Sequence, residues 1–462
     1  MVAMKIPSCF RYRKAKHNQI PSPAPVVKCN NTVMLFLFMA VRLLLWVGAV
    51  MTTSTSMIHA LQSLQTYHPV LTPSDRLRHL ADYSNDELQD WDVYGDFDQT
   101  AESSYLRDFE SELATELCME DGVFMPSGVM AQGIALLIHG GTSFACHPTS
   151  HLLLHEQDAY RHLLNMEAIA IHPDGRENGA LAGPPLLYED VARCLQLRAE
   201  QQQASMPGTL MIELPHREIG GQLSPWEDVL AMRDFCQQHA IRFHCDGARL
   251  FEAAAGYNKD LSELASPFDS VYISMYKGLG GLAGGVLLGT KDFCAQARVW
   301  LRRFGGNLYT VLPYAAAGRQ GYDAYWKHTS APVLTFRDKT QKMIDIVTTL
   351  QSDPLVAQVV TFNPTTPQTN MVHGFLKHEV HVCYKALDQA ASDTPGSLRA
   401  LHRVRQVEAH EAAHHLGFRT KFEWTLGQAN GALPLSDFVT SWRQFARFLL
   451  AADSGNVTYE VP

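Results

Sequence analysis

Five short apolar runs, each of strand length and each ending in polar residues, constrain this chain more than any other feature: 168–171, Thr209–Glu213, 241–245, Ser270–Ser274 and Gly285–Gly289. Helical stretches separate such runs, and others precede them at 111–120 and from Gln132 to Ile138, the latter following a Pro126-Ser127-Gly128 turn. Fully apolar strands alternating with helices predict an α/β domain with a mostly parallel sheet and helices on both faces. Ligands collect at the carboxyl ends of the strands in such sheets. Glu213, Asp246 and Lys277 each stand at or just past such an end. Beyond about Pro332 the texture changes to a long amphipathic helix at 334–350 and a closing helix at 435–452. The expected organisation is therefore a large domain over residues 75–330 and a smaller C-terminal α+β domain over 331–462.

The first 74 residues are a separate object. Nothing acidic occurs before Asp75, whereas Lys5, Arg11, Arg13, Lys14, Lys16, Lys28 and Arg42 all do. Within this extension Met34 to Val50 is apolar except for Arg42, at the short limit for a membrane-spanning helix. An arginine at the centre of a span costs about 2.5–3.5 kcal/mol on insertion scales, which weakens an anchor reading. A signal-anchor, a cleaved targeting segment and an extension outside the folded protein are the three readings. Membrane contact is expected only through residues 34–50. Asn30-Asn31-Thr32 is a formal glycosylation sequon nearly against that run, a pattern frequent by chance.

A formal net charge of −9 argues against a duty built on attraction to nucleic-acid phosphates. The nine cysteines are odd in number, scattered and never in a C-x-x-C pair, so they read as reduced, mostly buried thiols in a cytoplasmic or organelle-matrix compartment.

Two segments carry chemistry. His244-Cys-Asp-Gly-Ala-Arg-Leu250 sets a carboxylate past a strand, then a glycine for a tight turn, then an arginine. Ser270-Val-Tyr-Ile-Ser-Met-Tyr-Lys-Gly-Leu-Gly-Gly281 sets a lysine after a strand at the head of a glycine-rich turn. Asp246 and Lys277 are 31 residues apart, enough for one helix and one strand, so neighbouring strand ends aim both into one crevice. Pyridoxal 5′-phosphate (PLP) chemistry requires an amine, an anionic partner for the pyridine nitrogen, donors for the phosphate and something flat against the ring. Lys277 and Asp246 meet the first two requirements. Ser127, Gly128 and Val129 offer backbone N–H groups at a helix start, where anions bind.

The pattern H-x-D-G-A-R-L followed by S-x-Y-K-G-L-G-G resembles the threonine aldolase and β-eliminating lyase family, PLP enzymes of the aspartate-aminotransferase-like fold type I. The resemblance runs from about Asp90 to Tyr322, through Asp92-Val-Tyr-Gly95, Phe124-Met-Pro-Ser-Gly-Val-Met-Ala131 and Glu213-Leu-Pro-His216 with Gly220-Gly221; a weaker echo follows at Thr369-Asn-Met-Val372. It implies Lys277 as the Schiff-base lysine and Asp246 as partner of the ring nitrogen. His151, five residues before Glu156, matches the histidine that stacks on the ring. Ser127, Gly128, Val129, Glu213 and Arg249 are implied in cofactor binding, with Arg249 and His216 toward an amino-acid substrate. The implied reaction is retro-aldol cleavage of a threonine-like β-hydroxy amino acid to glycine and an aldehyde, in a homodimer or homotetramer.

Three departures bear on the substrate. Val129 replaces a usual threonine, Tyr309 stands in Gly305-Gly-Asn-Leu-Tyr309 where the family tends to have G-G-G-M-R, and Arg419-Thr-Lys-Phe-Glu-Trp-Thr425 replaces an R-x-x-T-H context that grips the substrate carboxylate. Glu423 in that segment would repel a carboxylate. β-Elimination and a catalytically lapsed binding protein are the alternatives these departures keep open. A competing signal, His410-Glu-Ala-Ala-His414, fits the H-E-x-x-H zinc pattern. No third histidine follows at the required spacing and the chain has 21 histidines, so no metal is expected.

Overall fold

A computed structural model describes residues 63–87, 104–173, 183–202, 205–327, 333–394, 396–409 and 411–453. All of them belong to one compact unit, Met57–Pro462. Asp92-Val-Tyr-Gly95, the apolar run at 34–50, Cys9, Cys29 and His410 lie outside the described residues.

Seven strands form the larger sheet: β1 (Asp121–Met125), β2 (Ser143–Cys146), β3 (Glu167–Ala170), β4 (Thr209–Glu213), β5 (Arg242–Gly247), β6 (Ser270–Ser274) and β7 (Gly285–Gly289), in the order β1-β7-β6-β5-β4-β2-β3. The run from β3 through β6 is parallel, while β7 lies antiparallel to β6 and to β1. The chemistry follows from that reversal. Only Met275–Gly284 joins β6 to β7, too short for the helical crossover a parallel strand requires. The lysine-bearing turn is therefore a tight connection at a sheet end, using positive φ at Gly280 and Gly284.

The strands read as unbroken apolar runs because both faces are covered. Leu210 and Ile212 of β4 face one core, shared with Phe109, Val191, Val229 and Tyr322. Met211 between them faces the other, with Leu136, Phe144 and Tyr160. Likewise Val271 and Ile273 of β6 face the first core, and Tyr272 packs on the opposite face with Met125 and Ile134. The helices supplying these layers include α1 (Pro73–Glu87), α2 (Tyr105–Glu116), α3 (Gly128–His139), α4 (Tyr188–Gln202), α5 (Trp226–Gln238), α6 (Leu250–Tyr257), α7 (Lys291–Arg303) and α8 (Leu312–Tyr325).

The C-terminal part carries an antiparallel four-stranded sheet, β8 (Val360–Asn363), β9 (Met371–Leu376), β10 (Arg405–Gln406) and β11 (Thr420–Thr425), in the order β10-β11-β9-β8. Helices α9 (Phe336–Ser352), α10 (Val380–Asp393) and α11 (Leu435–Asp453) enclose a core in which Trp424, Trp442, Phe362, Phe422, Phe438 and Phe445 are fully buried. In β11, Thr420, Phe422 and Trp424 are buried whereas Lys421, Glu423 and Thr425 alternate toward the other face. That alternation turns Glu423 toward the large sheet.

The N-terminal boundary differs from the charge-based expectation. Residues 63–68, placed by charge in the extension, are built into the fold. The Leu64 carbonyl accepts from Trp424 Nε1 at 2.9 Å and Asn430 Nδ2 at 2.8 Å, and Gln65 Oε1 accepts from the amides of His402 and Arg403 at 2.8 Å each. Absence of acidic residues marks composition, and it carries no information about where packing begins. The sequence reading also missed β1 and β2 and named no strand of the smaller sheet, whose edge strands β8 and β10 have four and two residues and whose interior strands β9 and β11 have six each.

Candidate active site

Glu213 and Asp246 are in register on adjacent parallel strands, so their carboxyl groups meet at the same sheet end. Lys277 follows β6, the next strand over. Its carbonyl accepts from Gly280 N at 3.1 Å and from His68 Nε2 at 2.6 Å, which pins the turn from within and from the N-terminal segment. Gly281 fits against Met275 O and Gly318 Cα, where a Cβ would collide. The result is a cavity of about 270 Å³ lined by Ser127, Gly128, Val129, His151, Asp246 and Lys277, with Gln132, Glu156, Ala248, Tyr272 and Tyr276 completing its wall.

Electrostatics follow from this crowding. Burial and Arg249 push the Lys277 amine down to about 8, with Asp246 and Glu213 pulling the other way. Burial and then Glu213 raise the Asp246 carboxyl, offset by Lys277, His151 and the Ala248 amide, whose N–H donates to Oδ1 at 3.0 Å. A cation brought beside Asp246 would therefore find a carboxyl whose ionisation it restores.

His151 opens a short helical turn after β2. Its backbone N–H donates to Glu213 Oε1 at 2.6 Å, and its Nδ1 donates to Glu156 Oε1 at 2.9 Å, leaving Nε2 free of that pair. The half-buried ring is thus held from two sides along the cavity wall. On the same cavity, Ser127 precedes α3 without capping it through its side chain, so the first-turn N–H groups of α3 are left without a side-chain cap. Gly128 is required there, since a Cβ would overlap the Tyr272 hydroxyl.

Three expected residues sit elsewhere: Glu213, in register beside Asp246, is not among the residues lining the cavity and accepts from the His151 amide. His216 is buried outside the cavity: its Nε2 donates to Thr149 Oγ1 at 3.0 Å, lies 3.9 Å from Glu213 Oε2, and its ring packs edge-on to His147. It braces the loop before His151 and lines neither this cavity nor the small one beside it. Arg249 belongs to an adjoining small cavity shared with Lys277, Glu252, Asn370 and Glu423. Tyr309 is 69% exposed and lines neither cavity. In the H-E-x-x-H segment, Glu411 is spent on Lys421 and on the Glu408 amide, and no group of three or more metal-ligating side chains occurs among the described residues.

Sequence reasoning missed Gln132. It stands one turn into α3, only 2% exposed, on the cavity wall. Its Oε1 accepts from His244 Nε2 at 2.6 Å; His244 Nδ1 accepts from Ser270 Oγ at 2.6 Å, and His139 Nε2 donates to that same oxygen at 2.6 Å. Burial holds His244 neutral, at about 3, which fits one donating and one accepting nitrogen. The relay fixes the amide with Nε2 outermost, and Nε2 has no partner in the protein. The signal was a lone polar residue in the apolar run Val129–Ile138, four positions after Gly128.

The β-eliminating lyase family model matches residues 92–392. The chain belongs to this family. A low specificity L-threonine aldolase of Escherichia coli O157:H7 is 31% identical over 229 residues, covering 49% of this chain and 63% of that protein. A structure from Exiguobacterium sp. 255-15, assigned as an aromatic amino acid beta-eliminating lyase/threonine aldolase, superposes with a TM-score of 0.69 at 27% identity, covering 85% of this chain and 99% of the other. One from Listeria monocytogenes EGD-E, assigned as an L-allo-threonine aldolase, gives 0.66 at 25% identity, with 85% and 99% covered. The chain spans about three fifths of the length of the curated relatives it matches. Its fold is the PLP fold type I, a large mostly parallel sheet with a smaller antiparallel-sheet domain.

The residues present fit PLP. A buried donor without a protein partner, Gln132 Nε2, the uncapped start of α3, the Asp246 carboxylate and a lysine of lowered basicity all lie on one cavity.

Proposed function

We propose that this protein is a PLP-dependent lyase that cleaves the Cα–Cβ bond of a β-hydroxy amino acid. The convergence of Lys277, Asp246 and His151 on one cavity supports this reading most directly. Lys277 is the amine to which the cofactor attaches, its lowered basicity leaving about a tenth of it uncharged at pH 7, far more than an ordinary lysine has. Asp246 keeps the pyridine nitrogen protonated, and Ser127, Gly128, Val129 and Gln132 hold the phosphate. Bound PLP supplies an electron sink for the bond broken at Cα. His151, with Nδ1 held by Glu156, takes the β-hydroxyl proton at Nε2 directly or through one water. Lys277 returns a proton to Cα, so glycine and an aldehyde leave.

The test is to supply L-threonine, L-allo-threonine and β-phenylserine and assay glycine and aldehyde. Production of both, abolished by Lys277→Ala and strongly reduced by His151→Phe, supports the reading. Absence of glycine, with ammonia and a keto acid released from a cysteine-like substrate, replaces it with β-elimination. A homo-oligomer is part of the proposal, supported by the exposed apolar side chains Val129, Leu163 and Tyr309. A purely monomeric protein in sedimentation at micromolar concentration overturns that part.

A further inference from the structure

The cavity beside Lys277 on the Arg249 side is small, about 30 Å³, close to the room one water needs. Its charged walls come from both domains. Arg249, at the start of α6, and Lys339 of α9 are the cations besides Lys277 itself; Glu252 and Glu423 are the anions. Glu423 reaches in from β11 and lies 3.9 Å from Arg249 Nη2 and 2.7 Å from Arg217 Nε. Arg217 is further paired with Glu218 at 2.8 Å. Once Lys277 is committed to the cofactor, the two remaining cations of the cavity face two carboxylates. Burial raises the Glu423 carboxyl, but His373, then Arg249 and Arg217, pull it well below the usual carboxylate range, so its charge persists through neutral pH.

The oxygen atoms add a second, independent observation. Glu252 Oε2 and Asn370 Oδ1, on residues 2% and 3% exposed, have no hydrogen-bond partner. Buried acceptors without donors are costly and mark a place where a donor belongs. An incoming carboxylate would bring only more acceptors, and would share Arg249 with Glu423.

We propose that Glu423 is a specificity-determining residue: it occupies Arg249 in place of a substrate carboxylate, and the cavity takes an uncharged or cationic hydrogen-bond donor instead. The preferred ligand is an amino compound whose acyl carbon is masked, as in an amide. This rests on the lyase reading, keeps its reacting amine and Cα–Cβ bond, and replaces the free carboxylate of the substrate by a masked one.

The probes are glycine and glycinamide, which share the reacting amine and differ at the group in question. Each is titrated into PLP-loaded protein, wild type and Glu423→Gln, and binding is read by the visible band and by calorimetry. The comparison between variant and wild type cancels the different basicity of the two amines. Glycine is expected to bind at least about tenfold more tightly to the variant, with glycinamide changed less than about threefold. Equal change in both ligands, no change in either, or weaker glycine binding overturns the proposal. If Glu423→Gln fails to fold, Glu423→Asp keeps the carboxylate near Arg217 while shortening its reach to Arg249, and a smaller gain for glycine alone is expected. A protein showing no Lys277-dependent visible band fails the cofactor reading, and this inference with it. A protein with the band but no glycine-selective response fails this inference alone.

Discussion

Lys277 illustrates how position changes the chemistry of a side chain. Its amine lies near 8 against an ordinary 10.5, because burial and Arg249 disfavour the ammonium. The folded value is the lower one, so the cost of burying the charge is present in full below about pH 8 and is relieved as pH rises toward 10.5. The rate at which cofactor-free protein takes up PLP should therefore rise with a midpoint near pH 8; a midpoint near 10 in stopped-flow absorbance would contradict the burial argument. Gln132 gives a second expectation. Losing one hydrogen bond to a charged group costs about 1.5–3 kcal/mol, so Gln132→Leu should weaken PLP binding by roughly 10- to 150-fold in a spectral titration. An unchanged dissociation constant would remove Gln132 from the phosphate site. Asp246 and Lys277 could be read in the sequence because each sits in a run of unusual, rigidly spaced residues. Gln132 left only the fainter mark of a lone polar residue in an apolar run, because its orientation depends on a relay through His244, Ser270 and His139, which no spacing reveals.

Five of the seven strands of the large sheet were legible as short, mainly apolar runs, β1 and β2 being missed: β4, β6 and β7 match the expected runs to the residue, β3 is shifted by one, and β5 starts one residue later and ends two later. The direction of β7 was not legible, since it follows from the length of the turn and not from its composition. In the smaller domain, β8 and β10 are too short to show a period, and β10 has only two residues. Helix α9, anticipated within two residues, begins with a capping box in which Thr335 Oγ1 accepts from Asp338 N at 3.0 Å and Asp338 Oδ2 accepts from Thr335 N at 2.9 Å. Thr335→Ala should cost about 1 kcal/mol, read as a shift in denaturant midpoint without a change in slope. A neutral result would mean that packing of Met343, Ile346, Val347 and Leu350 alone sets where α9 begins.

Across the molecule, the short segment Ser63–His68 joins parts that are otherwise far apart in sequence. It gives Leu64 O to Trp424 and Asn430 and His68 Nε2 to the Lys277 carbonyl. A chain beginning at Asp75 would lose these bonds and the fully buried Leu64 side chain. It should be less stable than a chain beginning at Met57 by about 3–5 kcal/mol, visible as a lower Tm and weaker PLP retention. Equal melting curves would show that the segment only decorates the fold. The same segment governs when the protein can be completed during synthesis. Leu64 meets Trp424 and Asn430 only after 360 and 366 further residues have been joined. At about 5–20 residues per second, that is a wait of roughly 20–70 s on the ribosome. The large sheet can close within that interval from strands made close together. Leu64 and Tyr67 cannot dock, so residues that emerge early are among the last to find their place, and the nascent chain carries their apolar side chains bare until the final strand arrives.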